Sequence, residues 1–135
     1  MTDSDPAADP RFLVVDDFAT MRRVLRGLLR ESGWNRVEEA GDAATALARL
    51  KAEPFDFVIC DISMPTMSGL ELLKAIRAVR ELRELPVLML TAEARRQEIL
   101  LAAQHGAVGT IVKPFGRELL EAQIRRGLLT SKAAA

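Results

Sequence analysis

Apolar and polar positions along the chain follow two alternating periods. Five short runs predict β-strands: Phe12-Leu13-Val14-Val15, Arg36-Val37-Glu38-Glu39, Phe57-Val58-Ile59-Cys60, Val87-Leu88-Met89-Leu90 and Thr110-Ile111-Val112. Four of them are continuously apolar or nearly so, as expected of strands covered on both faces. The second is mixed and suits a sheet edge. Helical spacing fills the intervals. Met21, Val24, Leu25, Leu28 and Leu29 fall on one helix face, and Gly33 stops that helix. Asp42 is placed as an N-cap, with Ala43, Ala46, Leu47 and Leu50 as the next stripe. Leu70, Leu73 and Ile76 form a third stripe. Ile99, Ala102 and Ala103 form a fourth, ended by Gly106, and Leu119, Leu120 and Ile124 form a fifth.

Five strand–helix alternations imply an α/β fold, a five-stranded parallel sheet with helices on both faces. Ligands of such sheets bind beyond the carboxyl ends of the strands, at a topological switch point. The length of 135 residues suits one domain. Residues 11–130 carry the alternation. Residues 1–10 have little to bury and read as a disordered leader, and residues 131–135 read as a short tail.

Charge and cysteine content narrow the function classes. Lys+Arg and Asp+Glu both number 19, so no net charge draws the chain to nucleic acid or an anionic membrane. One cysteine, Cys60, excludes an internal disulfide and a cysteine zinc site. No apolar run approaches the ~18 residues of a membrane span, and the acidic N-terminus is unlike a signal peptide. A cytoplasmic protein is expected.

The strand ends hold the candidate chemistry. The first strand runs into Asp16-Asp17, the third into Asp61, the fourth into Thr91 and the fifth into Lys113-Pro114. In a parallel sheet all four open onto one rim. Two carboxylates ~4 Å apart at an effective dielectric of ~20 repel by about 4 kcal/mol, so three such groups call for a cation. Oxygen ligands suit Mg²⁺. Lys113 suits a phosphoryl oxygen, the Thr91 hydroxyl can donate to another, and Asp61 can act as a nucleophile forming an acyl phosphate. Singly, Asp-Asp after a strand is usually a helix cap, Lys-Pro a loop and Thr91 a cap. Those readings leave unexplained why all four sites end successive apolar strands.

These residues also carry a resemblance. Phe12-Leu13-Val14-Val15-Asp16-Asp17, Asp61-Ile62-Ser63-Met64-Pro65, Met67-Ser68-Gly69, Thr91-Ala92 and Lys113-Pro114-Phe115 resemble the signature of two-component response-regulator receiver domains. Within that family the chemotaxis regulators are the most similar, over about Arg11 to Leu129. The resemblance implies a flavodoxin-like (βα)5 fold and a histidine kinase (CheA-like) as phosphoryl donor. It implies Asp61 as phosphoacceptor. Asp17 and Asp61 would bind Mg²⁺ directly, with Mn²⁺ as a substitute, Asp16 through water, and Ser63 through its backbone carbonyl. Thr91 and Lys113 would contact the phosphoryl group, and the Lys-Pro peptide is typically cis in this family. Ser63 and Glu93 would tune attack by water. Arg95, Arg96 and Ile99 would offer a surface to a partner, a flagellar motor switch protein or a phosphatase. A monomer is expected.

The chain departs from the family pattern in three places. Thr110 stands where an aromatic switch residue is usual, and the chain has no tyrosine. Ser63 replaces an asparagine, so the phosphoryl lifetime should differ. Ser68 stands where aspartate is common before the loop glycine, with little expected effect on the chemistry. Among the remaining residues, His105 reads as decoration at a helix C-terminus. Cys60 reads as buried filler facing away from Asp61. Trp34 reads as packing at a helix–strand turn, where it would report on the site if near.

The leading reading is a single-domain signalling module that accepts phosphate on Asp61 and shifts between two conformations. Its output is a motor-switch ligand or, alternatively, a phosphate sink or relay intermediate. An aspartate-nucleophile phosphatase would want its nucleophile on the first strand in an Asp-x-Asp arrangement, whereas Phe18-Ala19-Thr20 follows Asp17. A flavin carrier would want a phosphate cradle where Asp16-Asp17 stands.

Overall fold

The computed structural model describes residues 9–134. Residues 1–8 of the expected leader and the last residue of the expected tail lie outside the described residues. The elements run β1 (Phe12–Val15), α1 (Ala19–Glu31), β2 (Val37–Ala40), α2 (Ala43–Ala52), β3 (Phe57–Asp61), α3 (Gly69–Ala78), β4 (Val87–Thr91), α4 (Arg96–Gln104), β5 (Gly109–Val112) and α5 (Arg117–Ala134). A single 3-10 turn, Arg80–Leu82, follows α3. All strand pairs are parallel, and the sheet order is β2-β1-β3-β4-β5. The mixed second strand therefore lies at an edge, as its polarity requires.

Strand alternation sorts the core into two layers. Phe12, Val14, Phe57, Ile59, Leu88, Leu90 and Ile111 face α1 and α5, where Leu25, Leu29, Leu120, Ile124 and Leu128 meet them. Leu13, Val15, Val58, Cys60, Val87 and Met89 face α2, α3 and α4, with Ala46, Leu50, Leu72, Leu73, Ile76 and Ala102 opposite. Burial on both faces explains the unbroken apolar runs.

The helix faces differ in detail from the expected stripes. Val24 and Leu119 are about half exposed, at 47% and 48%. Leu119 sits one residue off the Leu120–Ile124–Leu128 row, and one residue rotates a side chain by about 100°. Ala103 is likewise exposed, whereas Leu72 is fully buried.

The caps explain where helices begin and end. The Asp42 carboxylate accepts from the Thr45 N–H at 2.7 Å and starts α2. Ser68 and Glu71 form a reciprocal capping box at α3: Ser68 Oγ accepts from the Glu71 N–H, and Glu71 Oε1 accepts from the Ser68 N–H. Ser68 is thus the N-cap of α3, a role aspartate fills equally well. Gly33 and Gly106 follow α1 and α4 at φ +91° and +88°, a region glycine enters without steric cost. His105 is the C-cap of α4. Trp34 packs on Phe12, ring centroids 5.3 Å apart, at the amino end of β1. It lies at the opposite end of the sheet from the strand-end carboxylates and cannot report on them by contact.

Candidate functional site

The order β2-β1-β3 places the switch point between β1 and β3. Asp16 and Asp61 emerge there on neighbouring strands, since Val15 pairs with Cys60. Residues 12, 14, 57 and 59 face α1 and α5, and the period of two carries Asp16 and Asp61 to that same side. Lys113 follows Ile111 by the same step. Its Nζ donates to Asp61 Oδ2 at 3.3 Å and to Asp16 Oδ2 at 3.5 Å. The Lys113–Pro114 peptide is cis, as the resemblance implied.

Asp16 is completely buried and Asp61 is 5% exposed. Asp16 Oδ1 accepts from the Phe18 N–H at 2.9 Å, and Asp61 Oδ1 accepts from the Ser63 N–H at 3.2 Å. Burial pushes the Asp16 carboxyl above its ordinary range. The Phe18 N–H and the Lys113 charge act against that rise, and the Asp61 charge adds to it.

Asp17 Oδ1 is buried and has no hydrogen-bond partner. One carboxylate oxygen from each of Asp16, Asp17 and Asp61 lies within 4.8 Å of the others. At that spacing and an effective dielectric of ~20, each charged pair repels by roughly 3.5 kcal/mol, and one lysine cannot neutralise three carboxylates. An orphaned buried oxygen within an all-carboxylate donor set fits a hard divalent cation such as Mg²⁺.

Thr91 ends β4 on the opposite side of the sheet and is 3% exposed. Its Oγ1 donates to the Glu93 carbonyl at 2.9 Å and accepts from the Glu93 N–H at 3.3 Å. The hydroxyl is thus turned into its own loop. Ser63, Thr91, Glu93, Arg95 and Glu98 line a cleft of about 40 Å³. Glu93 and Arg95 pair at its mouth, at 3.2 Å. Arg95 and Arg96 open α4 on the surface, and Ile99 is half-buried on the same helix. Thr110 pairs in register with Met89 and is half-buried.

Two further residues shape the site: Gly69, which the sequence offered only as part of a motif, and Arg22, which it did not single out. Gly69 packs so closely that a Cβ there would overlap the Asp61 carbonyl, and its N–H donates to the Ile62 carbonyl at 2.8 Å. The glycine before an apolar stripe was the available signal. Arg22 reaches the Asp16 carbonyl, a contact no linear spacing reveals.

Cys60 points away from Asp61 into the α2–α3–α4 layer. Burial raises its thiol pKa far above the ordinary value, and the Asp61 and Asp16 charges push the same way. A buried thiol held protonated is a filler, not a nucleophile.

Comparison with known proteins agrees with this geometry. The response regulator receiver domain model matches residues 12–125. The chain is 54% identical over 114 residues to chemotaxis protein CheY-3 of Vibrio cholerae, covering 84% of this chain and 88% of that one. It is 48% identical over 116 residues to chemotaxis protein CheY of Pseudomonas aeruginosa, covering 86% and 94%. Among solved structures, Vibrio cholerae CheY4 superposes with a TM-score of 0.82 at 36% identity, covering 89% of this chain and 99% of that one.

Proposed function

The chain belongs to the response regulator receiver domain family of two-component signalling, and from that premise we propose that it is a chemotaxis switch phosphorylated on Asp61. The observation that carries this reading is the convergence of Asp16, Asp17, Asp61 and Lys113 at one switch point. The donor is a phosphohistidine on a CheA-like histidine kinase. An Asp61 carboxylate oxygen attacks phosphorus, the O–P bond forms, the P–N bond breaks, and the imidazole leaves with its electron pair and takes up a proton.

Asp16, Asp17, Asp61 and the Ser63 carbonyl would hold Mg²⁺, or Mn²⁺ in its place. The ion supplies charge neutralisation for the transferring phosphoryl oxygens. Lys113 holds the acceptor carboxylate in place and then pairs with a phosphoryl oxygen. Ser63 and Glu93 flank the path of a hydrolytic water and set the lifetime of the acyl phosphate.

Switching follows from Thr91. Its hydroxyl can satisfy the Glu93 main chain or a phosphoryl oxygen, not both in one rotamer. Turning to the phosphoryl group releases the Glu93–Arg95 segment and with it the start of α4. Arg95, Arg96 and Ile99 then present an altered surface to a flagellar motor switch protein or a phosphatase. The protein acts as a monomer in the cytoplasm. Among the described residues no helix is long and apolar enough to cross a membrane.

A second output has its own observation. Thr110, half-buried on β5 beside β4, stands where an aromatic switch residue is usual, and a phosphate sink or relay intermediate without motor binding is the alternative output. Phosphotransfer from a small phosphodonor, with and without Mg²⁺, tests the acceptor reading. Wild type should label and Asp61→Asn should not; labelling of both sinks it. Capture on a motor-switch peptide, with and without an acyl-phosphate mimic, separates the outputs.

A further inference from the structure

We propose that Arg22 is a positioning residue for the cation site: it fixes the Asp16–Asp17 turn, and its loss weakens divalent-cation binding. The inference rests on the Mg²⁺ reading above. Arg22 lies in the first turns of α1, with 20% of its side chain exposed. Its guanidinium bridges two elements. Nε donates to Glu39 Oε1 on β2 at 2.9 Å, and a terminal N–H donates to the Asp16 carbonyl at 2.7 Å. The other Glu39 oxygen accepts from Arg26 Nε at 2.9 Å. Glu39 is therefore held at both oxygens and anchors Arg22 in one direction.

Gly41 lies beside the guanidinium. A Cβ there would lie 3.4 Å from the Arg22 terminal nitrogen, in ordinary van der Waals contact. The Asp16 N–H donates to the Ala40 carbonyl at 3.2 Å. Both polar groups of the Asp16 main chain are thus tied, one to β2 and one to Arg22. Asp17 comes next, and its buried Oδ1 has no hydrogen-bond partner. No hydrogen bond fixes that oxygen, so its placement depends on the backbone that carries it. Arg22 orients the peptide from which Asp17 hangs, as outer partners do for metal ligands.

Position and charge make opposite forecasts. A guanidinium beside a cation site opposes the cation by charge alone, so removing it would tighten binding. If Arg22 acts by holding the turn, removing it weakens binding.

Mn²⁺ affinity is measured by the electron-spin signal of the free ion, Mg²⁺ affinity by competition, and melting in EDTA reports folding. Arg22→Met keeps the aliphatic stem and should raise both dissociation constants roughly 10-fold, the lower end for outer-shell partners. Arg26→Met removes an equal charge from the same carboxylate without touching Asp16, and should leave both constants within about two-fold. Should Arg22→Met fail to fold, Arg22→Lys takes its place with the same expectation, because an ammonium lacks the rigid fork. Unchanged or tighter binding in the Arg22 variant overturns the proposal, as does equal weakening by Arg26→Met. A wild type that binds neither ion sinks instead the reading on which the proposal rests.

Discussion

Replacing Asp17 by asparagine should stabilise the protein without divalent cations and remove its response to them. Asp17 makes no salt bridge to Lys113, whose two partners are Asp16 and Asp61. Its charge is therefore the least compensated of the three. At separations within 4.8 Å its repulsion from the other two carboxylates sums to about 7 kcal/mol at an effective dielectric of 20. Asp17 is only half-buried, so solvent screens most of this, and a net gain of about 1–2 kcal/mol is expected. The amide can also donate to a neighbouring carboxylate, which the orphaned Oδ1 cannot. For a domain of this size that gain corresponds to a melting temperature raised by roughly 3–8 °C in EDTA. At 10 mM Mg²⁺ the order should reverse, because wild type gains binding free energy and Asp17→Asn does not. Calorimetric melting of both proteins in the two buffers makes the check. A variant that melts lower in EDTA, or gains as much from Mg²⁺ as wild type, refutes the reasoning.

Other perturbations read the fold. Thr66 is a non-glycine residue at φ 71°, so Thr66→Gly should raise stability by about 1 kcal/mol, seen as a shifted urea midpoint at constant slope. A loss would mean the threonine side chain matters more than the strain. Gly69→Ala must displace the Asp61 backbone and should lower both the melting temperature and the rate of phosphorylation; wild-type values of both would contradict the close packing. The Glu53 carboxyl is held down to about 2 by hydrogen bonds from Arg49 first and Arg11 second. A depressed folded pKa stabilises above the unfolded value near 4.5 and is lost as pH falls toward 2. Glu53→Gln should therefore melt below wild type at pH 7, with the gap closing across that acid window. A gap constant from pH 7 to 2 would show the charge to be irrelevant.

Strands and site were legible in the chain to different depths. The five strands stood out because burial on both faces leaves no polar alternation to blur them, and the mixed Val37–Ala40 strand lies at the edge its composition suggested. Helix faces were less legible. Val24 and Leu119 fit an apolar stripe yet face outward, because neighbouring rows on a helix differ by one residue. Asp16, Asp61 and Lys113 could be foreseen as neighbours, since parallel strands bring their carboxyl ends to one rim. Strand order could not, and neither could the contact of Arg22 with the Asp16 carbonyl, which exists only because β2 lies beside β1. Ser68 and Glu71 form a capping box at the Ser-x-x-Glu spacing that the chain displays.

The central claim is that Asp61 accepts the phosphoryl group in a cation-dependent step. Borohydride reduction of protein treated with a small phosphodonor, followed by peptide mass spectrometry, reads this directly by converting an acyl phosphate to the alcohol. Conversion at Asp61 alone, present with Mg²⁺ and lost in EDTA, is the expected result. Conversion at Asp16 or Asp17, or at Asp61 irrespective of Mg²⁺, would contradict it.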